Sequence, residues 1–154
     1  MKFFIAFCFA FFFLAANCQT IRVGLYTEKS LESIELSGFS GQYLLISDSI
    51  VKEISPKDIL EIKIIGGNQI LLFLNQKLYS SSYKISLIQL QNKNTLLIQS
   101  SSSNLKKISF EGDFEISIVD KRLNIINSLD IEDYIKSVVV SESGINLDLE
   151  YYKV

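Results

Sequence analysis

The chain has 154 residues, 48% of them apolar, with a net charge of −2 and no basic block. This composition supports one domain with a real core, and it excludes both a disordered chain and a nucleic-acid footprint, so no nucleic acid is expected among its partners. The absence of His excludes His-based triads and His metal ligands, and there is no Trp.

Met1–Cys18 reads as a signal peptide. Lys2 supplies the positive n-region, Phe3–Leu14 is an unbroken apolar run with seven Phe, and Ala15-Ala16-Asn17-Cys18 ends it with small residues. The run is short for a transmembrane helix. Ala16 and Cys18 at positions −3 and −1 leave Gln19 as the new N-terminus. A lipoprotein site at Cys18 is the alternative, although Asn17 fits a lipobox poorly. The expected location is therefore exported, periplasmic or cell-surface. A mature chain without Cys has no disulfide and must be held by its core.

From residue 20 onward the pattern is one of short strands. Thr20–Tyr26 alternates Ile21, Val23 and Leu25 against Arg22, Gly24 and Tyr26. Ile34 and Leu36 mark a second strand, Gly41–Ser47 a third, and Ile50–Ile54 is expected to pair back on it across Asp48-Ser49. Pro56, the only proline, marks a turn. Leu60–Ile65 and Gln69–Leu74 flank Gly66-Gly67-Asn68, which signals a hairpin. Tyr83–Leu90 and Thr95–Gln99 repeat that pattern around Asn92-Lys93-Asn94, and Ser100–Ser103 reads as a loop. Leu105–Phe110, Phe114–Val119 and Leu123–Ile126 are three further strands, with turns at Gly112 and at Asp120-Lys121-Arg122.

The stretch Ser128–Glu142 changes period. Ile131, Tyr134, Ile135, Val138 and Val139 fall on one helical stripe. Asp130 stands at the N-cap position, and Glu132 and Asp133 load the first turn with negative charge. These three acids read as helix-start charges, not as a metal cluster, and no metal or cofactor is expected. Asn127 is expected to shape the turn into the helix, and Tyr134 to sit in the core with its hydroxyl at the rim. After Glu142, Ser143-Gly144 breaks the helix, and Leu147–Val154 begins a second, short one.

The run from Phe110 to Glu142 resembles the heart of the SpoIID/LytB family (stage II sporulation protein D and amidase enhancer). Phe110-Glu111-Gly112 resembles the start of the family motif. Leu123-Asn124-Ile125-Ile126-Asn127 resembles its strand. Leu129, Ile131, Glu132, Tyr134, Ile135, Val138, Val139 and Glu142 resemble its helix. Ile21-Arg22-Val23-Gly24-Leu25 resembles the opening of the mature domain, whereas the middle of the chain matches thinly. Three positions depart: Glu111 stands where the family has Arg, Ser137 where it has Gly, and Ser143-Gly144 where it has Met-Pro. The charge reversal at Glu111 removes a partner for an anionic wall polymer. The family domain also continues well beyond a point matching Val154, so the resemblance implies an incomplete domain.

The resemblance implies a peptidoglycan-associated protein whose partners are glycan strands and, in some members, a cell-wall amidase. Its enzymatic members resemble lytic transglycosylases, and the residue matching their acid is Glu142. That chemistry needs one carboxyl, which protonates the leaving oxygen and then receives a proton from the sugar's own 6-hydroxyl. A hydrolase needs a second carboxylate. Apolar neighbours such as Val138–Val140 are expected to raise the pKa of Glu142 by desolvation. Ser141 is expected either to hydrogen-bond a sugar or to cap the helix end.

The expected fold is mainly β with one or two short C-terminal helices, a sandwich or barrel-like platform carrying the first helix of an incomplete SpoIID-type domain. The expected organisation is a signal peptide (1–18) and one domain (19–154), divided into a β platform (19–127) and a catalytic-helix region (128–154). Three functions stay open: cleavage of wall glycan by Glu142, a non-catalytic glycan-binding module or amidase enhancer, and an inactive fragment. The binding function calls for an exposed aromatic groove, with Tyr79, Tyr83, Tyr151 and Tyr152 as candidates.

Overall fold

The computed structural model describes residues 19–48, 50–91, 93–100 and 107–143, with side chains as far as residue 140. The expected signal peptide with Cys18, most of the serine loop, the expected second helix, and Tyr151 and Tyr152 lie outside the described residues. Arg22–Leu129 forms one compact unit, and Gln19–Ile21 with Asp130–Ser143 belongs to a second.

The architecture is two six-stranded sheets that share one core. The first runs in the order β1 (Thr20–Leu25), β12 (Arg122–Asp130), β11 (Asp113–Val119), β8 (Lys84–Gln89), β3 (Tyr43–Ser47), β4 (Ile50–Ile54). The second runs β10 (Ile108–Glu111), β9 (Thr95–Gln99), β2 (Ser33–Ser37), β5 (Leu60–Ile65), β6 (Gln69–Leu74), β7 (Lys77–Ser82). The strand pairs within each sheet, such as β9–β10, β11–β12, β8–β11 and β5–β6, are antiparallel, and each sheet ends in two edge strands, so the described residues form an open sandwich and not a closed barrel.

The alternation that makes these strands also builds the core. In β3, β5, β6 and β12 every second residue is buried over most of the strand. Leu45, Leu87, Ile116 and Ile125 from the first sheet meet Leu36, Ile62, Leu72 and Ile98 from the second in one buried cluster. With no disulfide among these residues, burial of this apolar layer is the dominant stabilising contribution.

The tight turns are built by residues that accept the left-handed region. Gly66 and Gly67 join β5 to β6 at φ of 61° and 77°. Asn75 and Gln76 join β6 to β7, and Asp120 and Lys121 join β11 to β12, with positive φ at both central positions in each case. That turn twists with the strands it connects.

Two expectations need correction, and one strand, β7 (Lys77–Ser82), was not singled out in the sequence. Lys84–Gln89 and Thr95–Gln99 do not form a hairpin. β8 pairs with β3 and β11 in one sheet, and β9 pairs with β2 and β10 in the other. The chain changes sheet at Asn94, which is only 4% exposed. Its carbonyl accepts from Tyr43 Oη (2.7 Å) and the Gly112 amide (3.3 Å), and its Nδ2 donates to the Gln42 carbonyl at 2.7 Å. A buried residue whose side chain and carbonyl are both bonded to other segments, at Gln42-Tyr43 and at Gly112, makes a crossing point, not a hairpin tip.

The second correction concerns Asn127. It lies inside β12, buried, and does not shape the turn into the helix. Its Nδ2 donates to the carbonyls of Glu111 (2.8 Å) and Asp113 (3.1 Å), on either side of Gly112. Gly112 has φ of +106°, and a Cβ there would lie 2.4 Å from the Ser128 carbonyl oxygen. The asparagine therefore clasps the β10–β11 corner, and only glycine fits beneath the clasp.

Candidate functional site

Helix α1 (Ile131–Ser143) is capped as its sequence dictates. Asp130 Oδ1 accepts from the Glu132 amide at 2.8 Å, and the Ile131 amide donates to the Gln19 carbonyl at 2.9 Å. These bonds satisfy two amide donors at the start of the helix. Asp133 pairs with Lys136 at 3.2 Å and raises the pKa of that lysine. Asp130, Glu132 and Asp133 are thus occupied with the helix start. Ser137 Oγ donates back to the Tyr134 carbonyl at 2.7 Å.

The apolar stripe forms, but it is not buried along its length. Ile131 and Tyr134 are half-buried, so Tyr134 is not a core residue, while Ile135, Val138 and Val139 are exposed. Val140 is exposed as well. Helical periodicity places these side chains on one face without supplying a surface to cover them. Ser141 and Glu142 are in the last turn of α1, and their side chains lie outside the described residues.

Of the four aromatic candidates, Tyr79 and Tyr83 lie among the described residues. Tyr79 stands on edge strand β7 with Lys52 Nζ 5.9 Å from its ring centroid, and Tyr83 is 66% exposed in the link to β8. Phe73 is half-buried on β6, with Lys63 Nζ at 5.4 Å. Across the outer face of the first sheet, Glu115 joins Lys84 (2.7 Å) and Arg22 (3.4 Å). The bond from Lys84 holds the Glu115 carboxyl below its ordinary range against the opposing effect of burial, and Arg22 adds to this.

A second feature was not legible in the sequence. At the Asp120-Lys121 end of the sandwich a cleft of about 170 Å³ is lined by Tyr26, Thr27, Lys29, Arg122, Leu123 and Asn124, among others. Tyr26 follows β1 directly with φ of 56°, and the Lys29 amide donates to its carbonyl at 2.9 Å. The chain thereby folds back over the start of β12. For a non-glycine residue that backbone costs about 1–3 kcal/mol. The Tyr26 ring packs edge-on against Phe110 at 6.0 Å, and its hydroxyl is buried with no partner among the described residues. Burial raises its pKa. Two unfavourable features on one residue beside a cleft mark this segment as a place held for more than stability. No local pattern announces it, because Tyr26 continues the alternation of β1. Comparison with protein-family models, with curated proteins and with solved structures gives no match to this chain.

Proposed function

We propose that this chain is an exported, peptidoglycan-associated protein of SpoIID/LytB type, and that Glu142 is the group that transfers protons in glycan-strand cleavage. The observation that supports the reading is that residues behind the resemblance hold structural roles, some in the sandwich and some in the helix, each unit taken by itself. Gly112 and Asn127 interlock, Asp130 caps the helix, and the acid follows in its last turn.

In this reading the neutral carboxyl of Glu142 protonates the glycosidic oxygen. The resulting carboxylate takes the proton of the 6-hydroxyl as that oxygen closes an anhydro ring. Ser141, one residue before it, is a candidate to hydrogen-bond the sugar. A second reading, a module that holds glycan or recruits an amidase without cutting, is favoured by the exposure of Val138–Val140. A binding role needs no desolvated acid, whereas general-acid work at neutral pH does.

Incubation with purified glycan strands, followed by mass spectrometry for anhydro-muramyl ends and by co-sedimentation, separates the readings. Anhydro ends support cleavage. Co-sedimentation without them supports the binding module. Neither result overturns both.

A further inference from the structure

We propose that the cleft between the Tyr26–Lys29 turn and the start of β12 is a binding site for a carboxylate, carried by a small organic acid or by the free end of a peptide chain. The proposal is independent of Glu142. Its cations come from two separate segments that the fold brings to one rim, Lys29 from the turn after β1 and Arg122 from the first residue of β12. Lys29 and Arg122 both line this one concavity, and a planar guanidinium with an ammonium suits a carboxylate, which can accept two parallel bonds from the first and meet a point charge in the second. Asn124 and Thr27 supply neutral polar groups, and Leu123 adds an apolar wall for the carbon attached to the carboxylate. At about 30 Å³ per water the cavity is worth roughly six waters, the size of an acid of two to four carbons. A longer chain would extend out of the open side.

The cations are available. Lys29 has no ion pair among the described residues. Arg122 meets one carboxylate, Asp120, at 3.8 Å, with its own side chain partly exposed and that of Asp120 largely in solvent. A pair of that length and exposure is weak, so an incoming carboxylate displaces it readily. Tyr26 is the positioning residue. Its left-handed backbone and the Lys29-to-Tyr26 hydrogen bond set the turn over β12. Strain held at a turn that carries a cation to a cleft rim is the pattern expected of a preformed ligand site.

The test is a titration of the ¹⁵N-labelled full chain at constant ionic strength, read by amide chemical shifts. The probes are lactate, lactamide, inorganic phosphate and the dipeptide N-acetyl-alanyl-alanine. Saturable shifts confined to residues 26–29 and 120–124 with lactate, and none with lactamide, are expected. Tighter binding of the dipeptide than of lactate assigns the site to chain ends, and the reverse order assigns it to free acids. Arg122→Gln and Lys29→Gln should each weaken binding roughly tenfold, about 1.4 kcal/mol, while Arg122→Lys retains part of it. Asp120→Asn should strengthen it by removing the competing carboxylate. Equal shifts with lactamide, equal binding by Arg122→Gln, or phosphate binding at least as tight as both carboxylates would each overturn the proposal. Unchanged far-UV circular dichroism in the variants guards against loss of fold.

Discussion

Replacing Asn127 tests the clasp that joins the motif residues. In Asn127→Ala the two donated bonds, at 2.8 Å and 3.1 Å, disappear, and the carbonyls of Glu111 and Asp113 lose a donor in a site that is 4% exposed. Each neutral bond contributes about 0.5–1.5 kcal/mol net, and an orphaned buried acceptor costs more, so a loss of about 2–4 kcal/mol is expected. Asn127→Asp keeps the shape but points a carboxylate at two carbonyl oxygens. It should cost more than the alanine change at pH 7. The engineered acid's folded pKa would be raised, so its cost appears as pH rises through the unfolded aspartate value and shrinks on acidification. Gly112→Ala strains the backbone and presses Cβ against the Ser128 carbonyl, which truncating Asn127 does not relieve. Its cost should therefore persist in the double variant. Urea unfolding read by far-UV circular dichroism suits a chain without Trp. A cost below about 0.5 kcal/mol for Asn127→Ala, or Asn127→Asp no worse than Asn127→Ala, would refute the clasp.

Other outcomes follow from the same geometry. Leu45→Ala, in the fully buried layer, should cost about 2–5 kcal/mol by urea unfolding. Tyr43→Phe removes the buried bond to the Asn94 carbonyl and should cost about 1–2 kcal/mol at pH 7. Burial, then the charges of Asp113 and Glu111, raises the Tyr43 phenol pKa, so the folded state keeps this proton while the unfolded chain releases it. Stability should therefore fall as pH rises past the unfolded tyrosine value, less steeply in Tyr43→Phe, in alkaline unfolding curves. Glu115→Gln should cost at most about 1 kcal/mol at neutral pH and low salt, because its partners are largely exposed. Its depressed pKa means that this contribution is present above the unfolded glutamate value and lost as pH falls through the folded one.

The strands were legible wherever alternation and turn chemistry coincided, as at Leu60–Ile65, Gly66-Gly67 and Gln69–Leu74. The cap at Asp130 was legible for the same reason, since it is a local device. β7 was not, because its edge position leaves Lys77, Leu78 and Tyr79 exposed and breaks the alternation. The change of sheet at Asn94 and the clasp at Asn127 depend on partners far along the chain, which no window of local sequence contains. The same holds for the Lys29–Arg122 rim. Glu142 was picked out through a family resemblance, and the geometry of the described residues adds its place in the last turn of α1.

The central claim is that Glu142 transfers protons during glycan cleavage. Its most direct test compares the full chain with Glu142→Gln on purified glycan strands, following anhydro-muramyl ends by mass spectrometry and fold by circular dichroism. The account predicts that the wild type releases these ends, whereas Glu142→Gln releases none while keeping its fold and glycan binding. Release by Glu142→Gln at the wild-type rate would contradict it.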